Sequence, residues 1–321
     1  MRRRDFLRHM GTGVLATGLA PSALAPRAHA SAGAESTSEG FRSMIARARG
    51  TDFIAMTRAA VAQLGGMERF VSKGATVVIK PNVGWDRPFE FHANTHPDVV
   101  RAAAQMCLDA GASKVSIVDF PVMGQHPRNA FEFSGMNALG TELGVTVGPA
   151  FENTRFVDVA LPDAAVLKNA SVIRELLESD VIINIPVAKS HGCTKYTGAL
   201  KNWMGIVWNR TFFHQNFRTD SRTSPEHWNH IASCIAEIQQ RVPPTLTIVD
   251  ATTIMKTKGP QGPGELATPN EILAGTDQVA LDTYAVGLFD TIKLEEVISI
   301  HRAAELGLGT SDMSLVEVRD A

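Results

Sequence analysis

Short apolar runs alternate along the chain with longer stretches of helical periodicity. Residues 75–79, 114–119, 180–185 and 246–250 have the length and apolar character of buried parallel strands. Pro81, after the first run, is expected to end the pairing of that strand. A helix is predicted from Pro97 to Gly111, and others near 128–143, 171–178, 225–241, 277–290 and 294–306. This repetition predicts an α/β fold, with an open, mostly parallel, Rossmann-like sheet and helices on both faces.

The first thirty residues have the organisation of an export signal. A basic cluster precedes a mild apolar run over residues 11–25, and Ala28-His29-Ala30 fits a cleavage site. Arg3-Arg4-Asp5-Phe6-Leu7 resembles the twin-arginine signal, whose pathway carries folded proteins; an ordinary secretory signal is the alternative. The apolar run is too short, and too interrupted by Gly and Pro, to be a stable membrane anchor.

We therefore predict three segments along the chain. These are a twin-arginine signal peptide over residues 1–30, a flexible leader over 31–45 and a single α/β domain over 46–321. The export machinery of that pathway is then a partner of the protein. The expected location is the periplasm or another extracytoplasmic compartment.

Composition narrows the class of protein. The chain has 321 residues, 44% of them hydrophobic, and a formal net charge of −2, so bulk basicity cannot drive nucleic-acid binding. The three cysteines cannot build a disulfide framework. No Cys-x-x-Cys pair is present, which excludes a ferredoxin-type cluster held within this chain.

Polar side chains follow the predicted strands, at the sheet edge where open α/β folds bind ligands. They are Lys80, Asn82, Asp119, Lys189, His191 and Asp250. The densest chemistry follows the third predicted strand and adds Cys193, Lys195, Lys201 and Asn202. Lysine ammonium groups there can hold a carboxylate or phosphate, and a helix starting near Gly198 would direct N–H groups at an anion. A solvated basic loop is the alternative interpretation.

Several of these motifs together resemble the family called domain of unknown function 362. The resemblance rests on Val78-Ile-Lys80-Pro-Asn82, Thr95-His-Pro97, Asp180-Val-Ile-Ile-Asn184, Lys189-x-His191, Gly198-x-x-Lys201-Asn202-x-x-Gly205, Asp250, Gly259-Pro260, Gly262-Pro263 and Asp277-x-Val-Ala-x-Asp282. It implies a fold and candidate residues rather than a reaction. Some relatives carry an added iron–sulfur module that this chain lacks, which suggests a redox setting only loosely.

A metal site is a further hypothesis. Imidazole and thiolate are good ligands for iron or zinc, and the candidate ligands are His191, Cys193, Asp119 and Asp250. His227, His230 and Cys234 also share one face of a predicted helix, although the adjoining apolar stripe makes Cys234 an equal candidate for the core. No histidine or cysteine spacing matches a strong zinc signature.

Two functions follow from the sequence. The first is an exported metal- or cofactor-dependent enzyme that acts on a small anionic substrate, with redox chemistry as one option. In this interpretation His191, Lys189 and Lys201 are catalytic, and the anion is held by Lys80, Asn82, Lys195 and Asn202. The alternative is a non-catalytic periplasmic binding protein for an anion or a metal complex. The strand predictions also bring Lys80, Asp119, Lys189 and Asp250 together at one edge of the sheet, because right-handed crossovers align the carboxyl ends of parallel strands.

Overall fold

The computed structural model describes Gly40 and residues 42–122, 124–214 and 224–321. The predicted signal peptide lies outside these residues. The strands are β1 (Ser43–Arg49), β2 (Thr76–Pro81), β3 (Lys114–Asp119), β4 (Thr146–Pro149), β5 (Phe156–Ala160), β6 (Asn169–Ile173), β7 (Val181–Ile185), β8 (Val187–His191), β9 (Lys195–Thr197), β10 (Leu246–Met255), β11 (Leu266–Ala267), β12 (Glu271–Gly275) and β13 (Val316–Asp320). The helices are α1 (Phe53–Gln63), α2 (Pro97–Asp109), α3 (Pro127–Phe133), α4 (Met136–Leu143), α5 (Arg174–Glu178), α6 (Ala199–Asn202), α7 (Pro225–Arg241), α8 (Gln278–Val286) and α9 (Ile298–Glu305).

One large sheet organises the described part of the chain. Its main order is β13-β1-β12-β10-β7-β2-β3-β4, and β8, β9 and β11 attach beside β10. The strands from β10 through β4 run parallel, whereas β12 pairs antiparallel with both of its neighbours. Strands β5 and β6 form a separate antiparallel pair. The mostly parallel sheet predicted from the sequence is confirmed.

Alternate residues of the central strands enter two different cores, one on each face of the sheet. In β2, Val78 belongs to one core, and Val77 and Ile79 belong to the other. Helices α7, α8 and α9 pack on the first core, while α1, α2, α3 and α4 pack on the second. Because helices cover both faces of the sheet, the central strands consist mainly of apolar residues. Such continuous apolar runs can be recognised as strands in the sequence.

Local signals set the helix boundaries. The His96 imidazole caps α2 by accepting from the Asp98 amide at 3.2 Å, and Pro97 occupies the first turn. Ser224 caps α7 in the same way, with Pro225 after it. Asp277 caps α8 through its carboxylate, which accepts from the Ala280 amide at 2.8 Å. In the part of the chain that the structure describes, no helix is long and apolar enough to cross a membrane.

Several predicted boundaries differ from the structure. The helix predicted at 128–143 is two helices, α3 and α4, because Gly135 adopts a φ of 75° between them. Residues 171–173 of the predicted helix at 171–178 belong to strand β6 instead. The leader was predicted to extend to residue 45, but the buried strand β1 begins at Ser43. Pro81 does not end the pairing of β2, since it lies opposite Ile185 of β7.

Candidate functional site

A cavity of about 630 Å³ lies at the carboxyl ends of β2 and β3, beside β8 and α6. Seven residues singled out from the sequence line it together: Lys80, Asn82, Asp119, Lys189, His191, Lys201 and Asn202. Arg210 and His214 add further polar groups, and Gly205 lies close to the ion pair described next. The strand-end arrangement expected for an open α/β sheet therefore gathers most of the predicted candidates around one space.

Lys80 and Asp119 form a buried ion pair at the base of the cavity. Lys80 Nζ lies 2.7 Å from Asp119 Oδ1, and both side chains are at most 2% exposed. Nζ also donates to Pro81 O at 2.8 Å and to Asn202 Oδ1 at 2.9 Å, which uses its three donors. Asp119 accepts in addition from the amides of Val83 and Phe120. Burial lowers the pKa of Lys80 and Asp119 opposes that shift, so this pair holds the ends of β2 and β3 together.

Gly205 lets the backbone approach this ion pair closely. A Cβ atom at position 205 would lie 2.4 Å from Asp119 Oδ1 and 2.8 Å from Lys80 Nζ. Neither side chain can retreat, because each is buried and fully hydrogen-bonded. A residue larger than glycine is therefore excluded at this point of the Gly198-x-x-Lys201-Asn202-x-x-Gly205 motif.

Lys189 is the second fully buried lysine, and its surroundings differ. Its Nζ donates to Asn82 Oδ1 at 2.7 Å and to the carbonyl oxygen of Ala93. Burial, together with the nearby charges of Lys201 and Lys80, lowers the pKa of Lys189 well below its usual value, and Asp119 only partly opposes this. Lys189 was expected to follow a strand, but it lies within β8.

A chain of side-chain amides runs from Lys189 into the protein interior. Asn82 donates to Asn202 (3.0 Å), Asn202 to Asn184 (2.8 Å), Asn184 to Gln278 (2.8 Å) and Gln278 to Gln239 (2.8 Å). Gln239 ends the chain by donating to the carbonyls of Leu200 and Ile235. Every amide therefore presents its oxygen toward the lysine and its NH₂ group away from it.

The hydrogen bonds of His191 fix its tautomer. Its Nδ1 accepts from the backbone amides of Cys193 and Thr194, at 3.1 and 3.2 Å. Burial and the charges of Lys201 and Lys189 lower the pKa of His191 well below its usual value, so the ring is neutral and carries its proton on Nε2. In this tautomer neither nitrogen has a free lone pair for a metal, and His191 is a hydrogen-bond donor instead.

Lys201 and Arg210 supply the remaining positive charge. Among the residues described here, the polar contact of Lys201 Nζ is Met204 Sδ at 3.4 Å. Burial lowers the pKa of Lys201 to about 8. Arg210 donates to the carbonyls of Phe120 and Pro121, and its guanidinium lies 4.0 Å from the centre of the Phe120 ring. Lys201 Nζ thus has no oxygen acceptor among the described residues that these hydrogen bonds join.

Four candidate residues lie outside the cavity wall. Lys195 and Cys193 line a separate space, where Lys195 Nζ is 3.3 Å from Glu296 Oε1. Asp250 lies in the middle of β10 rather than at its end, and it accepts from the His96 amide and from Thr252. Cys234 is fully buried in the core.

The four proposed metal ligands consequently do not gather at one point. Asp119 is saturated by Lys80 and two amides, Asp250 is bound elsewhere, and His191 is a donor. Within the described ranges, no group of three or more His, Cys, Asp or Glu side chains is arranged to hold a metal ion. The described side chains proposed as metal ligands are therefore not placed to share one metal ion.

Sequence reasoning missed two parts of the site. Arg210 stands in a segment with no strand or helix signal, and only its backbone acceptors in the loop after β3 show its place. Gln278 and Gln239, the far end of the amide chain, come from α8 and α7. The place of Asn184 could have been predicted from the sequence, because a polar side chain at the end of a buried strand needs hydrogen-bond partners.

Asp282 holds the start of α6, the helix that carries Lys201 and Asn202 into the cavity wall. Its burial predicts that the stability of the protein depends on pH. It is 1% exposed and accepts from the amides of Ala199 (2.6 Å) and Leu200 (2.9 Å) at the start of α6. Burial raises its pKa to about 7 against the pull of these hydrogen bonds. The folded state thus binds the proton more tightly than the unfolded state. Its contribution to stability is complete below about pH 4 and falls by about 1.4 kcal/mol per pH unit up to about pH 7.

The measurement is urea unfolding of the wild type and of Asp282→Asn at steps between pH 4 and pH 8. The difference between the two free energies of unfolding isolates Asp282, because all other groups titrate in both proteins. We expect this difference to change across the window and to level off above pH 7. A difference that is constant with pH would contradict the raised pKa.

Comparison with known proteins places the chain in a family. The model for "Domain of unknown function (DUF362)" matches residues 77–287. A thylakoid-associated protein of Synechocystis sp. is 28% identical over 259 residues, covering 80% of this chain and 75% of that protein.

Two solved structures show weaker similarity. A protein from Thermotoga maritima gives a TM-score of 0.41 at 15% identity, with 80% of this chain covered. The lactate racemase apoprotein from Thermoanaerobacterium thermosaccharolyticum gives 0.49 at 9% identity, with 74% covered. This chain spans only 60% and 55% of those two chains. The family model, by contrast, matches more than half of the sequence and includes every residue of the amide chain and both buried lysines, and the protein belongs to the family of the domain of unknown function DUF362.

Proposed function

We propose that the cavity binds a small anion and that the protein is an enzyme acting on it. One observation carries the proposal. Among the described residues that line the cavity, four carry basic groups, Lys80, Lys189, Lys201 and Arg210, whereas Asp119 is the single carboxylate. That carboxylate is already paired with Lys80. An anion in the cavity would relieve the mutual repulsion of the remaining cations.

The donors available to such an anion can be named. Lys201 offers its ammonium group, because the thioether of Met204 is a weak acceptor. His191 offers Nε2–H, since its Nδ1 is occupied by two amides. Lys80 offers none, as its three donors are used, so its part is to hold Asn202 and Asp119 in place.

The same groups support acid–base chemistry. A lysine with a pKa of about 8 exchanges protons near neutral pH, where general acids and bases are most effective. Lys201 is therefore the proposed proton-transfer group, and His191 the donor that orients the substrate. The alternative, a binding protein without turnover, predicts that the anion binds and is released unchanged.

Isothermal titration calorimetry of the purified protein at pH 7 and low ionic strength tests the proposal. The probes are inorganic phosphate and small mono- and dicarboxylates, with chloride as the reference anion. We expect saturable binding of at least one probe at one site per chain, weakening as salt is added. Absence of binding for every probe would overturn the anion site.

Export is the second part of the proposal, and its motif lies outside the described residues. We expect that replacing Arg3 and Arg4 together by Lys stops translocation, because the twin-arginine pathway reads the arginine pair. The measurement is cell fractionation followed by immunodetection of the processed chain, with Arg2→Lys as the control. Normal accumulation of the Lys-Lys variant outside the cytoplasm would refute the assignment.

A further inference from the structure

The two buried lysines of the cavity have opposite electrostatic surroundings. Lys80 has a carboxylate at 2.7 Å, whereas the acceptors of Lys189 are the side-chain oxygen of Asn82 and the carbonyl of Ala93, both uncharged. Lys189 is 1% exposed, so water does not replace the missing counter-ion. An ammonium group buried without a counter-ion is costly, and the proton is readily lost instead.

The charged groups around Lys189 act in the same direction. Lys201 on α6 and Lys80 on β2 both disfavour a further positive charge, and Asp119 on β3, already bound to Lys80, compensates only partly. Arg210 and His191 are further titratable groups in the wall of the cavity. A neutral amine has two N–H bonds and one lone pair. The two hydrogen bonds to Asn82 and Ala93 use both N–H bonds. The lone pair of Nζ is therefore the part of the amine that these contacts leave unused.

We propose that Lys189 is a nucleophile that forms an imine with an aldehyde or ketone group carried by a small anion. This inference rests on the proposed anion site and names the substrate class: an oxoacid or a phosphorylated carbonyl compound. Nζ attacks the carbonyl carbon, a C–N bond forms and the C–O bond breaks. Both amine protons leave with the oxygen as water, and nothing is oxidised or reduced. Lys201 and His191, on the same wall, hold the anionic group of the substrate.

The experiment traps the imine with borohydride. The purified protein is mixed at pH 7 with glyoxylate, which carries an aldehyde and a carboxylate, then reduced, digested and mapped by mass spectrometry. We expect a stable adduct on Lys189 that forms more than about tenfold faster than on Lys73 and Lys114, because those two side chains are exposed to water and Lys189 is buried without a counter-ion. Lys189→Met should abolish this adduct and leave the slow labelling of exposed lysines unchanged.

A second variant tests the role of the uncharged surroundings. Asn82→Asp puts a carboxylate beside Nζ and should stabilise the ammonium form. Trapping at Lys189 should then slow at pH 7 and recover at higher pH, a shift that a purely structural lysine would not give. Circular dichroism and thermal unfolding of both variants confirm that they are folded. Labelling of exposed lysines alone in the folded wild type would overturn the proposal, as would an unshifted pH profile.

Glycolate separates this inference from the proposed function. It carries the same carboxylate as glyoxylate but has no carbonyl carbon to attack. Glycolate binding by calorimetry without any adduct from glyoxylate would overturn the imine and leave the anion site intact. No binding of either anion and no adduct would overturn both.

Discussion

Replacing Asp119 by alanine should lower the free energy of unfolding by about 3–5 kcal/mol, because the buried Lys80 must then either keep its charge without a partner or give up its proton. The distance from Lys80 Nζ to Asp119 Oδ1 is 2.7 Å and both side chains are at most 2% exposed, so solvent screens their attraction little. The variant also loses the acceptor for the amides of Val83 and Phe120. Urea unfolding followed by circular dichroism measures the loss.

A double variant separates the ion pair from the other contacts of Asp119. Lys80→Met removes the charge, and Asp119→Asn keeps one acceptor for the backbone amides. Replacing both partners of a buried pair is much less harmful than removing one, so the double variant should be more stable than the sum of the single losses predicts. Additive single losses, or a loss below about 1 kcal/mol for Asp119→Ala, would show that the pair is not coupled.

Lys201→Met should weaken anion binding about tenfold to a hundredfold, since a hydrogen bond to a charged group contributes about 1.5–3 kcal/mol. Methionine keeps the length of the side chain and its contacts with the apolar wall, and it removes only the ammonium group. Stability should change little or increase, because the buried charge is removed as well. Calorimetric titration with the anion that binds the wild type gives the affinity ratio.

Lys195→Met is the matched control for this measurement. Lys195 is six residues away in the sequence, but its ammonium pairs with Glu296 at 3.3 Å and both side chains are about 40% exposed. It lines a different cavity, so its loss should leave the affinity unchanged within error. Equal loss in the two variants would indicate a diffuse electrostatic effect rather than a contact made by Lys201.

The central strands were predictable and the outer strands were not, for a physical reason. Strands β2, β3, β7 and β10 are covered on both faces and therefore appear in the sequence as continuous apolar runs. Strand β1 contains Arg47 and Arg49, which read as surface residues. Their partners, Asp320 and Glu271, are more than 220 positions away, so no local pattern shows that these charges belong to a sheet.

The residues of the candidate site also divide into those that the sequence could predict and those that it could not. Lys80, Asn82, Lys189, His191, Lys201 and Asn202 could be found because they follow or end recognisable strands, and parallel strands bring their carboxyl ends to one edge. Lys195 and Cys193 come from the same dense segment, but the turn after β8 carries them to another cavity. Sequence spacing cannot show on which side of such a turn a side chain emerges.

The chain of side-chain amides that starts beside Lys189 surrounds its amine with dipoles of fixed orientation. In water, dipoles around an amine turn when its charge changes, and this turning forms part of the activation barrier. Here Asn202, Asn184 and Gln278 are each held by neighbours on both sides, so none can reverse without breaking several hydrogen bonds. In the proposed attack positive charge appears on Lys189 Nζ, and the oxygen of Asn82, the first amide of this chain, already faces that nitrogen. The reorganisation energy of the proposed step is therefore small. The dipoles are oriented during folding, so the cost falls on the stability of the protein and not on the rate of the reaction.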